Sequence, residues 1–526
     1  MMNPLRQNKN SGQALVPVLF VVLILTAVAV AVSTSAKREV RASTNQMAEL
    51  QQYQIARGAM NYVAAQLQQA TSGGVTVPQL TQPPDTDANG WTQLGDGWYK
   101  VDIIDTASRI NINTADAAAL NKLPAFINDP NLAPAIIDWR DADDNPTVIA
   151  ASSTTAGGTG AESDYYQGLN PPYYAKNAPF DTLDELLLVR GITPAILYGV
   201  NGQIPTTSGG STSPQYNDAT RAAGTTRQAG GGTTTGQASQ QIDLSSSTTP
   251  LSELLTTYSR ELNYAADGTK RVNIKTATAA QLTTMFTNAG VATNTARQIV
   301  NQFTRAQGGQ TQTDQQRLTS LADLMGKTTG GVSQVAQWPT TTLQLVADHI
   351  TDNAGTYLNG RVNINTASTE ALATIPGMDQ TLLTLIQNQQ RAGGFTSLND
   401  LFQNNVFSRP QLQVLFGRVC TKSSVYLVRV RVRMQGSTRI YAAQALIELS
   451  EPQQSTTTGT GTTGTGTTGT GTTDNTTTSD ATTQIPQILQ WREVPKTPGW
   501  SSWLTPPSYL SGANQPAGSG GTVGNP

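Results

Sequence analysis

The spacing of hydrophobic positions changes several times along the chain, and each change predicts a different kind of element. From Ala14 to Val32 they run without a break: nineteen residues carry no charge, and thirteen of them are Leu, Ile, Val or Phe. At 1.5 Å per residue this run makes about 28 Å of helix, close to the roughly 30 Å hydrocarbon core of a bilayer. Together the thirteen favour insertion by about 4 to 8 kcal/mol. Arg6 and Lys9 precede the run, so the positive-inside tendency puts everything after Lys37 on the far side of the membrane. A cleaved secretory signal is the other reading, but the apolar core of such signals spans only about 7 to 15 residues. From Lys37 to Ala70 the apolar positions Val40, Met47, Leu50, Tyr53, Met60, Val63 and Leu67 recur at steps of 3, 4 and 7. That spacing predicts an amphipathic stem continuous with the span, whose stripe needs a partner.

Towards the other end the period falls to two. Val425 to Met434 reads VYLVRVRVRM, and Arg439 to Leu449 follows after a Gln-Gly-Ser turn. A β-hairpin is expected, with Arg429, Arg431 and Arg433 on its wet face. Gln484 to Val494 and Trp98 to Asp105 read as further strands, completing a small antiparallel sheet beside the stem.

Between these strands lies an internal repeat. RININTADAAAL (Arg109 to Leu120), RVNIKTATAAQL (Arg271 to Leu282) and RVNINTASTEAL (Arg361 to Leu372) share one design. An extended Asn-Ile-Asn or Asn-Ile-Lys leads to a Thr able to cap a helix. The copies also end alike, in FDTLDELL, RLTSLADLM and FTSLNDLF. Each unit therefore predicts a capped helix, a turn, a second helix and a short third one. The hairpin turns are Pro124-Ala125-Phe126, Ala289-Gly290-Val291-Ala292 and Pro376-Gly377-Met378-Asp379. A phosphate-holding hairpin needs exposed backbone N–H groups at paired glycines. None of the three has the pair, and Asp379 repels phosphate, so nucleic acid is disfavoured as a partner.

Composition narrows the function classes. A formal net charge of −2 gives no general attraction to nucleic acid. One cysteine, Cys420, excludes an intrachain disulfide, and one histidine, His349, leaves little for a catalytic triad or a histidine metal site. Thr206 to Gln241 and the Thr-Gly array Ser455 to Thr483 cannot bury enough surface to offset chain entropy, and are expected to be unstructured. The first repeat is lengthened by an insertion: Asn111 to Leu183 spans 72 positions, against 48 and 35 for the equivalents in the other two. It carries Asp141, Asp143, Asp144, Glu162 and Asp164. These hard oxygen donors are the ligand class Ca²⁺ prefers, although the spacing is not that of an EF-hand, and a solvated acidic loop is the plain alternative. No nucleophile or base surrounds them, so no enzyme is predicted.

A basic leader ending in Gly12, followed at once by a long apolar helix running into a stem, resembles the class III signal of type IV pilins and pseudopilins. The resemblance implies cleavage between Gly12 and Gln13 by a prepilin peptidase. Most such proteins have Glu at mature position five, whereas this chain has Pro17. Lacking that Glu is similar to the minor pseudopilin K (GspK) family of type II secretion systems. The insertion carries the same likeness: DWRDADDNP, GAESDYY and NPPYYAKNAPFDTLDELLLVRGIT follow one another in the order of that family's segments. The repeat resembles the helix-hairpin-helix (SAM-like) fold, found in competence-type DNA-binding proteins and in pseudopilin K.

The resemblance implies a non-enzymatic subunit at the tip of a pseudopilus that helps start its assembly. Its partners would be the I and J minor pseudopilins, and it would be a single-pass protein of the inner membrane with its large C-terminal part in the periplasm. Calcium binding in that family implies a structural Ca²⁺ on the acidic insertion. The other readings are a membrane-anchored DNA-binding protein of the competence type and a type IV pilus minor pilin. The expected fold class is α+β: a transmembrane and stem helix, a pilin-like antiparallel sheet and inserted all-α repeats. The division is 1–12 leader, 13–36 span, 37–71 stem and 72–108 first strand region of the head. Residues 109–205, 248–330 and 331–418 are the three repeats, with 206–247 a linker. Residues 419–451 are the hairpin, 452–483 the Thr-Gly loop, 484–510 the last strand and tail, and 511–526 an unstructured end.

Overall fold

The computed structural model describes residues 15–72, 83–127, 129–150, 157–199, 242, 249–306, 311–326, 328–329, 332–333, 335–436, 439–451 and 485–493. Gly12 and Gln13 lie outside them, as do most of the two low-complexity segments. The chain forms two compact parts: residues 1–61, 82–101 and 430–443, and residues 62–81, 102–429 and 444–526. The fold is a mixture of helix and sheet.

The apolar run and the stem form one helix, Leu15–Ser72, of 58 residues. At 1.5 Å per residue it is about 87 Å long. Its apolar half is long and hydrophobic enough to cross a membrane, and its side chains there are exposed. The stem stripe divides in two. Val40, Met47 and Leu50 are exposed, whereas Ile55, Ala56, Ala59, Met60, Val63 and Leu67 are buried. In the first compact part Gly58 and Gly97 allow the close approach: a Cβ on Gly97 would lie 2.6 Å from Ile55 Cδ1, and one on Gly58 3.3 Å from Leu94 Cδ2.

The main sheet has five strands in the order Thr92–Leu94, Gly97–Asp105, Val425–Met434, Ile440–Leu449 and Pro486–Glu493. All three expected strand regions are present. The Arg face is drier than its alternation suggests: Arg431 is 5% exposed, and Val425–Met434 carries buried residues on both faces. Arg433 stands over Trp91 and Trp98, 4.5 and 5.4 Å from their ring centres, so it too is partly covered.

The helical units fill the sequence between strands Gly97–Asp105 and Val425–Met434. Asp105 marks where the chain leaves the sheet. It accepts bonds from Ala107 N (2.8 Å), Asn363 Nδ2 (2.7 Å) and Thr366 Oγ1 (2.7 Å), while burial raises its pKa. Each unit opens with a two-residue leading strand and closes with a parallel one. Ile110–Asn111 pairs Leu255–Thr256, Val272–Asn273 pairs Ile350–Thr351, and Val362–Asn363 pairs Val419–Cys420. The closing strands follow short helices at Leu251–Leu254, Thr340–Val346 and Arg409–Leu415.

Within each unit the third helix is a 3₁₀ segment held by a capping box, Thr182 with Glu185, Ser320 with Asp323 and Ser397 with Asp400. The first helices start two residues later than the Thr-capping pattern suggests. Their caps are Asp116, Thr278 and Ser368, because Thr114, Thr276 and Thr366 sit in turns closed on Asn111 O, Asn273 O and Asn363 O. One hydrophobic core runs through all three units, from Ile110 to Val419. The units touch through specific groups: Lys122 Nζ donates to Ile375 O (3.0 Å), and Arg409 Nη2 to Trp338 O (2.9 Å).

Candidate functional site

The acidic insertion is built on the helix Leu132–Arg140, whose apolar residues Leu132, Ala133, Ala135, Ile136 and Trp139 are buried. Asp138 and Asp141 fall three residues apart at its C-terminal end, so both lie on one face where the helix dipole already presents negative charge. The chain then loops through Asp143 and Asp144 and returns as the antiparallel pair Val148–Ile149 and Gly158–Thr159. Gly160 crosses directly over Asp138: a Cβ there would lie 1.9 Å from Asp138 Oδ2. Only glycine permits that approach, and it delivers Glu162 to the pocket. Glu162 begins the helix Ser163–Gln167 but its carboxylate makes no capping bond. An aromatic floor holds the frame, with Tyr166 edge-on to Trp139 and stacked on Tyr173, each 5.2 Å away.

The result is a pocket of unpaired oxygen. Asp138 is fully buried, and its Oδ1 accepts from Thr147 N (2.9 Å) while Oδ2 has no partner. Glu162 is 3% exposed and neither of its oxygens is bonded. Asp141 Oδ1 and Asn177 Oδ1 are likewise buried without a partner. Asn177 donates its amide to Asp143 O (3.2 Å) and Asp144 Oδ1 (2.9 Å), which leaves its carbonyl free to turn inward. Buried oxygens without donors are strongly unfavourable, and the cost falls on the charged form of the carboxylates. Burial, then Asp138, Asp141, Asp144 and Asp143, push Glu162 up to about 7. Burial, then Asp138 and Asp143, raise Asp141 against the opposing pull of Arg140.

The nearby cations are committed elsewhere. Arg140 donates to Ile112 O and Ala115 O, and Lys176 pairs with Asp181 (2.6 Å) and Glu185 (2.7 Å). Arg190 lies over the Tyr165 ring and reaches Gly160 O (3.4 Å). Among the described residues no three acidic, histidine or cysteine side chains are arranged as a finished metal cage. The donor set nevertheless suits a hard cation: carboxylate and amide oxygens, buried, unpaired and mutually repelling. Asp138, Asp141, Glu162 and Asn177 would hold it, and the ion would supply the missing positive charge.

Of the five residues expected from sequence, Asp141 and Glu162 reach the pocket. Asp143 Oδ1 accepts from Asn145 N and Nδ2, and Asp144 Oδ1 accepts from Asn177 Nδ2, so they act by charge and by positioning. Asp164 is exposed on the first turn of its helix. Asp138 and Asn177 are additions. Asp138 hides in the apolar stripe of its helix, and its one signal is an acid at a helix end that favours cations.

The other candidate chemistry is closed off. In the third unit Asp379 Oδ1 accepts from Leu382 N (2.7 Å), so the hairpin N–H is capped by the chain itself. His349 is partly buried beside Asp267 (3.5 Å) and Cys420 is a buried free thiol.

Curated proteins give no match. A chain of the GspK-GspI-GspJ complex from the type 2 secretion system of enterotoxigenic Escherichia coli aligns with 11% identity over 86% of this chain and 99% of its own, at a TM-score of 0.35. Residues 113–201 match the family model described as type II secretion system (T2SS), protein K, a span that contains the pocket whole. Through that region the chain is similar to protein K of type II secretion systems.

Proposed function

We propose that this protein is a non-enzymatic minor pseudopilin. It is anchored in the inner membrane by the apolar half of its long helix, with the rest of the chain in the periplasm. The observation that carries the reading is the protein K region, residues 113–201, on a chain whose helix Leu15–Ser72 continues from an apolar span into a stem. Tip position follows from Pro17, which stands where a pilin Glu would neutralise the amine of a neighbouring subunit. A subunit without that carboxylate suits the end of a fibre. The units are helix-hairpin-helix (SAM-like) modules used for bulk and contact rather than for DNA. I-type and J-type minor pseudopilins are the partners, and a structural Ca²⁺ on Asp138, Asp141, Glu162 and Asn177 fixes the shape of the first unit. The cation neutralises the pocket; the chain's own groups orient it, with Gly160 admitting Glu162 and Asn177 held by the Asp143–Asp144 loop.

Mass spectrometry of the mature N-terminus, combined with co-purification from cells that also express I-like and J-like subunits, tests this reading. A start at Gln13 with both partners retained is expected. A start near Lys37, or a correctly processed chain that retains neither partner, would overturn it.

A further inference from the structure

The leading segments Arg109-Ile110-Asn111, Arg271-Val272-Asn273 and Arg361-Val362-Asn363 are near copies, and each meets its closing strand in the same parallel register. The closing strands Leu255-Thr256, Ile350-Thr351 and Val419-Cys420 are also alike, an apolar residue followed by a small one. Backbone hydrogen bonds do not read side chains, so the ladders alone would let any leading strand take any closing strand. Exchange of that kind is a characteristic failure of repeat proteins. The choice must be made by groups beside the ladders.

Those groups differ sharply. Arg271 is buried with Nη1 at 2.6 Å from Glu261 Oε1 and Nη2 at 2.8 Å from Asp348 Oδ1, and its Nε donates to Asp348 O (2.9 Å). The other oxygen of Glu261 faces Arg361 Nη1 at 3.4 Å. Arg109 instead donates to a carbonyl, Ser252 O (2.9 Å). Asp348 stands two residues before its closing strand; the same place holds Glu253, partly exposed, in the first unit and Gly417 in the third. Of the three closing strands, only Ile350-Thr351 therefore brings a buried carboxylate. If Val419-Cys420 paired with Val272-Asn273, Gly417 would face Arg271, and a buried guanidinium held by Glu261 and Asp348 would lose one of its two carboxylates. Removing one member of a buried pair is strongly unfavourable even where the intact pair adds little net stability.

We propose that Asp348, carried by its own closing strand and read by Arg271, forms a pairing code that fixes which closing strand joins the second leading strand, with Glu261 holding Arg271 in place, so that near-identical units close on themselves. The code acts as selection against exchange, the best-attested use of a buried ion pair.

The test is a competition inside one full-length chain in detergent. Cys420→Thr removes the native thiol, and Val272→Cys, Ile350→Cys and Val419→Cys offer residue 272 a native and an exchanged partner. Directly paired strand residues lie within disulfide reach. After refolding with reversible thiol exchange, peptide mass spectrometry reads the ratio of 272–419 to 272–350 links. With Glu261 and Asp348 intact the 272–350 link is expected to dominate. Asp348→Asn, which keeps the shape, should raise the exchanged fraction at least about tenfold, well below the effect of orphaning a buried charge because Glu261 still faces Arg271. Gly417→Asp, made with Asp348 intact, should raise it as well by offering Arg271 a carboxylate on the wrong strand. Gly417 has φ +88°, and Asp is among the residues that tolerate that region. Failure of the Asp348→Asn chain to refold leaves the decision to Gly417→Asp. An unchanged ratio in whichever of these variants refold overturns the proposal.

Discussion

The first and third helical units are built on one frame, yet their acidic residues live under opposite conditions. In the third, Asp379 caps its helix, and Asp400 accepts from Thr396 N (2.6 Å), Thr396 Oγ1 (2.7 Å) and Ser397 N (3.1 Å). In the first, Glu162 has no donor at all and Asp138 has one. The cause is length. The short spacing of the third unit sets Asp379 and Asp400 beside backbone N–H groups, while the 72 positions of the long one bring acids from a helix end, a loop and a strand end against each other. A short unit is complete in itself; the lengthened one awaits a charge from outside.

That contrast can be tested by separating what a cation changes from what it does not. The largest effect is expected from Ile386→Ala in the third unit, a fully buried side chain whose truncation costs about 2 to 5 kcal/mol. Denaturant titration should give the same loss with Ca²⁺ and with chelator. Next, Ca²⁺ at 100 times its dissociation constant should stabilise the first unit by about 2.7 kcal/mol. Asp138→Asn and Glu162→Gln should each abolish that gain, as read by hydrogen exchange of residues 132–140 with 380–391 as the internal control.

The pH response should differ as well. Folded Glu162 keeps its proton up to about 7, whereas its unperturbed value is 4.5, so the folded chain binds more protons between these two values. Without cation the first unit should therefore be most stable below about 4.5 and lose stability as pH rises through about 7. Exchange rates corrected for intrinsic pH dependence should show this in residues 158–167, and added Ca²⁺ should reverse the slope. A smaller change is expected for Asp379→Ala, about 1 kcal/mol from loss of the cap, with an unaltered calcium response in calorimetry. Smallest is Asp164→Asn, which should leave stability within about 0.5 kcal/mol and Ca²⁺ affinity unchanged, because the side chain faces solvent.

Long periodic segments were legible in the sequence. The helix Leu15–Ser72, the hairpin Val425–Met434 with Ile440–Leu449, and the threefold repetition all follow from spacing sustained over many residues. The closing strands were not, because two residues such as Ile350 and Thr351 carry no period, and their partners lie about 80 positions away. They fall at 255–256, 350–351 and 419–420, whereas the repeats read from sequence run to 205, 330 and 418. The caps slipped by two because Thr114 and Asp116 are both competent, and only the Asn111 turn decides between them. Arg431 departs from its pattern because alternation predicts exposure only where one face of a strand is open. At the pocket, loop acids could be read from composition, but Asp138 could not, since a core helix conceals a functional side chain among apolar neighbours.

The parallel closure of every unit has a consequence for how such a chain can grow. Because entry and exit strands are hydrogen-bonded neighbours, a unit of any length presents its host with two chain ends side by side. Paired strands lie about 4.8 Å apart whether the excursion between them is short or long. Lengthening one unit, or splicing in a further copy, thus leaves the geometry of the junction at Asp105 and Val425 untouched. The head can acquire mass by duplication without redesigning the sheet that carries it.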